Sequence, residues 1–119
     1  MTINMIKNFK NAFNGIIFAL KEKSFRVMFL IALAIFILSF LLNITATETL
    51  IIIITVTLVL GLELINSQVE RTLDIISPQK DERVREIKDI SAGAVLVASI
   101  GSAFIGFIIF LPYLIGRFG

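Results

Sequence analysis

The sequence predicts an all-α membrane protein, an N-terminal amphipathic surface helix followed by three transmembrane helices. Three observations carry this. Hydrophobic residues fill 57% of the 119 positions and the mean hydropathy is +0.97, more apolar surface than so short a chain can hide in its own core. Three segments approach the roughly 20 apolar residues that cross a bilayer. Lys and Arg cluster outside those segments, as topology signals do. At this length the chain reads as one domain, residues 1–119.

The surface helix covers about residues 5–23. Ile6, Phe9, Phe13, Ile16, Ile17 and Leu20 recur at helical spacing, with Lys7, Asn8, Asn11 and Asn14 between them. That pattern suits a helix lying in the membrane interface better than a fourth span. Met1–Lys23 has no uninterrupted apolar h-region, so a cleavable signal peptide is not expected. The spans follow at about Val27–Ile44, Thr49–Ile65 and Ala92–Ile115. A short Asn43–Glu48 connection makes the first two a tight helical hairpin. The second connection, Arg71–Asp89, is charged and contains the turn signal Ser77-Pro78. In the third span Ala94, Ala98, Ser102 and Gly106 form a four-residue repeat of small side chains that permits close helix packing. Pro112 kinks or ends that helix.

Lys7, Lys10, Lys21, Lys23 and Arg26 precede the first span, and Arg71, Lys80, Arg83, Arg85 and Lys88 fill the second connection. The hairpin turn has no basic residue, and Arg117 alone follows the third span. The positive-inside rule then places the N-terminus and the 71–89 loop in the cytoplasm and the C-terminus outside, in a multi-pass membrane protein. All acids except Glu48 lie at or near the cytoplasmic side, so any chemistry faces the cytoplasm.

The chain has no Cys and no His, which excludes disulfides, thiolate chemistry, the usual zinc sites and imidazole catalysis. A metal would be a hard cation on oxygen ligands. A net charge of +2 gives no sign of nucleic-acid binding.

The most informative stretch is LELINSQVERTLD. Glu63, Asn66, Glu70 and Asp74 sit at i, i+3, i+7 and i+11, one narrow stripe of a helix. Taken singly, Glu70 and Asp74 read as an ordinary solvated helix end. Glu63, flanked by apolar residues, does not, because a carboxylate at membrane depth must be paired, protonated or facing a wet cavity. Two further clusters share that side of the membrane, Lys21–Arg26 and Lys88-Asp89. Alone, Arg26 and Lys88 are topology and snorkelling residues. With the stripe they complete a site having carboxylates for a divalent cation and cations for phosphate. Glu63 lies deepest, where a lipid headgroup would enter, with Arg26 as a second substrate-binding candidate. Three thin helices hardly enclose such a site, so a homo-oligomer is expected.

ELINSQVE resembles the E-[IL]-x-N-[ST]-x-[IV]-E signature of the small bacterial integral-membrane diacylglycerol kinase/undecaprenol kinase family. FKNAFNGIIFALKEKSFR is similar to the family's N-terminal segment, with its E-x-x-[FM]-R pattern at Glu22–Arg26. SPQKDERVREIKDISAGAVLVASI resembles its loop and the start of its third span. The resemblance covers nearly the whole chain. It implies a homotrimeric lipid kinase that uses ATP with Mg²⁺ and has no P-loop. It further implies Glu63 as general base with Asn66 as the signature amide, and Glu22 and Glu70 as metal ligands. Nucleotide contacts would come from Asn11, Glu22, Glu70, Gln79, Lys80, Asp81, Lys88 and Asp89. The chain departs from the family pattern at Val27-Met28-Phe29, at Gln79-Lys80-Asp81, and at Gln68 and Arg71, where small or apolar residues are usual. The Ser77-Pro78 loop, AGAVLV and IGFIIFLPYLIG look more like the undecaprenol branch. Undecaprenol is therefore the expected acceptor, with diacylglycerol as the alternative. Two other readings compete: an acid-lined ion- or proton-conducting oligomer, suggested by Glu63, and a non-catalytic structural subunit.

Overall fold

Three helices long and apolar enough to cross a membrane follow a shorter first helix in the computed structural model, which describes residues 2–118. The helices are α1 (Thr2–Leu20), α2 (Lys23–Leu42), α3 (Ala46–Ile76) and α4 (Glu82–Phe118). The run IIIITVT at 51–57 is rich in β-branched residues and in water would favour a strand. In lipid each backbone N–H and C=O must find its partner within the segment, and only a helix supplies that for a single span.

The hairpin between α2 and α3 is built from three side-chain-specific devices. Asn43 adopts the left-handed conformation (φ 53°, ψ 52°) that Asn tolerates better than most residues. Its N–H donates to the Phe40 carbonyl at 3.2 Å, closing α2. Thr45 then opens α3 with a capping box. Its hydroxyl accepts from Glu48 N–H at 3.2 Å, and Glu48 accepts from Thr45 N–H at 3.0 Å. Beside this turn Ile44, Ile52, Ile109 and Phe110 form a buried core, and Tyr113 donates its hydroxyl to Glu48. The far end of α4 is thereby fixed to the start of α3.

The connection expected over Arg71–Asp89 is far shorter. α3 runs on to Ile76 and α4 already begins at Glu82, leaving only Ser77–Asp81 between them. Hydropathy marks where apolar side chains stop, whereas charged residues continue a helix readily. The break falls at Ser77, which leaves the helical region (φ −137°, ψ 83°), a region disfavoured for the residue before a proline. Asp81 then accepts from Arg83 N–H at 2.8 Å and starts α4. Pro112 does not end α4, which continues to Phe118. The proline removes one donor to the Ile108 carbonyl, a local loss the long helix absorbs. α1 ends at Leu20, short of the expected Lys23, because Lys21 and Glu22 form a turn on the carbonyls of Phe18 and Ala19 (3.2 and 2.9 Å).

α3 packs mainly along α4, and α1 and α2 join at one side. The result is a slab of 55 × 43 × 21 Å. Ala98, Ser102 and Gly106 of the small-residue repeat are half-buried, whereas Ala94 is exposed. Large apolar side chains such as Phe40, Ile54 and Ile108 lie open on the spans, and Ile3, Phe9 and Phe13 on α1. Residues this apolar are left outward where the surroundings are lipid or another protein surface. Replacing Thr45 by Ala is expected to lower stability by about 1 kcal/mol, the usual cost of a lost N-cap. The drop should appear in the midpoint of detergent-induced unfolding, with Thr45→Ser nearly unchanged.

Candidate active site

The elbow between α1 and α2 brings the first acid to α3. Phe25, only 2% exposed, anchors the first turn of α2, and Ala19 is buried at the end of α1. Between them Glu22 is held extended (φ −88°, ψ 134°) as the residue that opens α2, so its side chain reaches across instead of capping its own helix. It accepts from the Ser67 hydroxyl at 2.6 Å and from Arg71 Nε at 2.8 Å. Arg71 also donates through Nη2 at 3.4 Å to the Phe18 carbonyl in the last turn of α1, which the Lys21 N–H shares. Two residues further along the chain, in the first turn of α2, the Ser24 hydroxyl donates to Glu63 Oε1 at 2.9 Å.

The α3 side of this junction is buried. Glu63, Asn66 and Ser67 are 4%, 7% and 5% exposed, and the side-chain oxygen of Asn66 has no hydrogen-bond partner among the described residues. An unpaired buried amide oxygen costs roughly 1–3 kcal/mol, so this atom is poised to accept from a ligand or to bind a cation. Ser67 and Arg71 lie one and two turns beyond Glu63 on the same face. The Ser67 hydroxyl is the main cause of a carboxyl at Glu22 held below the ordinary glutamate range. Partial burial opposes the shift and the Arg71 guanidinium adds to it.

A second cluster lies further along α3, toward its C-terminal end. Lys88 of α4 pairs with Asp74 at 2.5 Å. Asp74, to which sequence spacing assigns no task, is thus the partner that holds Lys88. A cleft of about 430 Å³ lies beside this pair, and Gln79, Lys80, Asp81, Lys88 and Asp89 contribute to its lining. Asp81 is itself paired with Arg83 at 3.0 Å, and the guanidinium keeps its carboxyl below the usual aspartate range.

The expected site residues therefore fall into three groups. Glu22 meets α3 beside Glu63, and Ser24 closes the contact. Lys88, Asp89 and the loop residues Gln79–Asp81 gather around the cleft. Glu70, Arg26 and Asn11 are exposed and make no side-chain hydrogen bond among the described residues. Ser24, Ser67 and Arg71 carry much of the observed geometry, yet sequence alone does not single them out as site residues. For Ser67 a signal exists, since it lies four residues after Glu63 on the same face.

This architecture defines a helical membrane protein most of whose acids and cations collect at one end of its spans, a setting for moving a charged group at a membrane boundary. Residues 10–110 match the family of prokaryotic diacylglycerol kinases. The chain is 36% identical over 109 residues to an undecaprenol kinase of Bacillus subtilis, covering 91% of this chain and 89% of that one. It is 31% identical over 114 residues to a diacylglycerol kinase of Synechocystis sp., covering 94% of this chain and 65% of that longer relative. The protein belongs to the prokaryotic diacylglycerol kinase family and is an integral-membrane lipid kinase.

The Glu22 junction has a defined pH dependence. A depressed carboxyl stabilises the fold fully above the ordinary glutamate value of 4.5, and the contribution is lost as pH falls through the depressed value. In a carboxyl carbon NMR titration, Ser67→Ala should move the Glu22 midpoint upward, because the largest cause of its depression is gone.

Proposed function

We propose that the protein transfers the γ-phosphoryl group of ATP to the hydroxyl of undecaprenol, giving undecaprenyl phosphate. The observation that carries this reading is the buried Glu63 carboxylate hydrogen-bonded to an alcohol, next to the Glu22–Ser67–Arg71 junction. The preference for a polyprenol over diacylglycerol rests on the undecaprenol kinase similarity at 36% identity. The diacylglycerol alternative is supported by the 31% relative.

In this reading Glu63 takes the proton of the lipid hydroxyl as it attacks, a step for which a base must lie within hydrogen-bond reach. Asn66 uses its unpartnered oxygen or its amide to orient the groups around that hydroxyl. Lys88, kept in place by Asp74, meets the phosphates. Asp89, Gln79, Lys80 and Asp81 line the nucleotide's cleft, with Asn11 approaching from α1. Arg26, exposed at the start of α2, faces the headgroup region and holds the lipid's polar end.

The residues present fit Mg²⁺. The donors are hard oxygens, from the Glu22 and Glu70 carboxylates and the unpartnered Asn66 oxygen. Among the described residues no three acidic groups gather in one cluster, as suits a cation that retains water and binds phosphates through one or two carboxylates. When bound, the ion neutralises charge on the transferring phosphoryl group. Glu22 is already oriented for this role by Ser67, and Arg71 must yield part of it.

The chain assembles as a homotrimer in the cytoplasmic membrane, with α1 on the cytoplasmic surface and the C-terminus outside. Exposed apolar faces on a slab 21 Å thick support the assembly, and the exposed Phe9 and Phe13 support the surface helix. A conduction role finds no support along the spans. Thr55, Thr57 and Ser102 each donate to a carbonyl of their own helix at 2.7 Å, which commits their protons locally.

The test supplies radiolabelled ATP and Mg²⁺ to the folded protein in micelles with undecaprenol or diacylglycerol. Labelled polyprenol is expected. Labelled diacylglycerol alone would replace the substrate assignment, and no labelled lipid at all would end the kinase mechanism. Glu63→Gln is expected to reduce turnover by about 10²–10⁴-fold, the contribution of a general base. Its oligomer should persist, whereas a purely structural carboxylate would lose assembly.

A further inference from the structure

The hydroxyl bonded to Glu63 belongs to the protein itself. Ser24 donates to Glu63 Oε1 at 2.9 Å, inside the roughly 2.6–3.2 Å over which a general base takes a proton. Glu63 is buried, whereas Ser24 is exposed at the start of α2. The buried carboxylate thus meets a primary alcohol that a phosphoryl donor can approach from outside. An acceptor lipid has to adopt this same relation to Glu63. The neighbouring Ser67 does not share it, because its hydroxyl is committed to Glu22. Ser24 also lies two residues from Glu22, the carboxylate read above as a metal ligand.

We propose that Ser24 is a phosphate acceptor in its own right. When no lipid hydroxyl occupies the site, the protein transfers the γ-phosphoryl of ATP to Ser24 Oγ. The inference rests on the reading of Glu63 as base and ATP as donor. In the step the Ser24 O–H proton passes to Glu63, and a bond forms between Oγ and the γ-phosphorus. The bond from that phosphorus to the β–γ bridging oxygen breaks, and its electron pair leaves with ADP. The product is a phosphoserine in the first turn of α2, carrying about −1.5 to −2 charges. Repulsion from Glu63 is offset by Lys23 and Arg26 in the same turn and by the positive end of the helix dipole. Phosphorylated Ser24 has no hydroxyl to give Glu63 and places a dianion where the lipid must enter. Self-phosphorylation therefore shuts the site when acceptor lipid is scarce, and lipid protects against it by taking the place of Ser24.

The experiment incubates the full-length protein with γ-labelled ATP and Mg²⁺ in lipid-free detergent micelles, then repeats this with increasing undecaprenol. The label is mapped by peptide mass spectrometry. The expected result is label on Ser24 that falls as lipid product rises. Labelling should be absent in Ser24→Ala and reduced by about 10²–10⁴-fold in Glu63→Gln. Lipid product without protein label, or label on another residue of the wild-type chain, overturns the inference and leaves the lipid kinase mechanism standing. Absence of both products overturns the two together. Because the label is mapped in the wild-type protein, the outcome does not depend on any variant folding.

Discussion

The hydrogen bonds that Glu22 accepts from Ser67 and Arg71 determine what the rest of the molecule is able to do. α1 has almost no buried side chain of its own, so little else fixes its end to the spans. With the junction made, the elbow presents Ser24 to Glu63 and the Phe18 carbonyl to Arg71. Without it, Glu63 would be a buried carboxylate lacking a partner, a state that apolar surroundings penalise heavily. The polar contacts are therefore mutually dependent. Burial of Phe25 places Glu22, Glu22 engages α3, and that engagement keeps Glu63 satisfied.

At the opposite end of the spans the polar inventory is small and structural. Thr45, Glu48 and Tyr113 form a closed set around the hairpin turn, with the aliphatic core of Ile44, Ile52, Ile109 and Phe110 beside them. These groups satisfy one another. The other end contrasts with this closed set, since an Asn66 oxygen is left over there and a cleft stands open.

Sequence periodicity makes the acid stripe legible because a helix converts spacing into direction, and apolar neighbours make Glu63 conspicuous. The three spans are legible for the same reason, since bilayer thickness sets a length that composition reveals. The helical extensions from Ile65 to Ile76 and back to Glu82 are not, because hydropathy follows the solvent and not the backbone. Nor are the roles of Ser24, Ser67 and Arg71. A hydroxyl has no preferred periodicity, and Arg71 on an otherwise charged segment reads as one more topology signal. Their significance lies in contacts between residues 39 to 49 positions apart, a relation set by the elbow's geometry alone.

The uninterrupted length of α3 also makes it a ruler. It has 31 residues and would span about 46 Å at 1.5 Å per residue, half as long again as a hydrocarbon core of about 30 Å. From Glu63 to Asp74 the axial climb is about 16 Å. Each polar residue on the stripe is therefore locked to its own depth, with no loop to let it drift. A group buried at lipid depth and one in water on the same rod keep a separation that the helical rise alone sets.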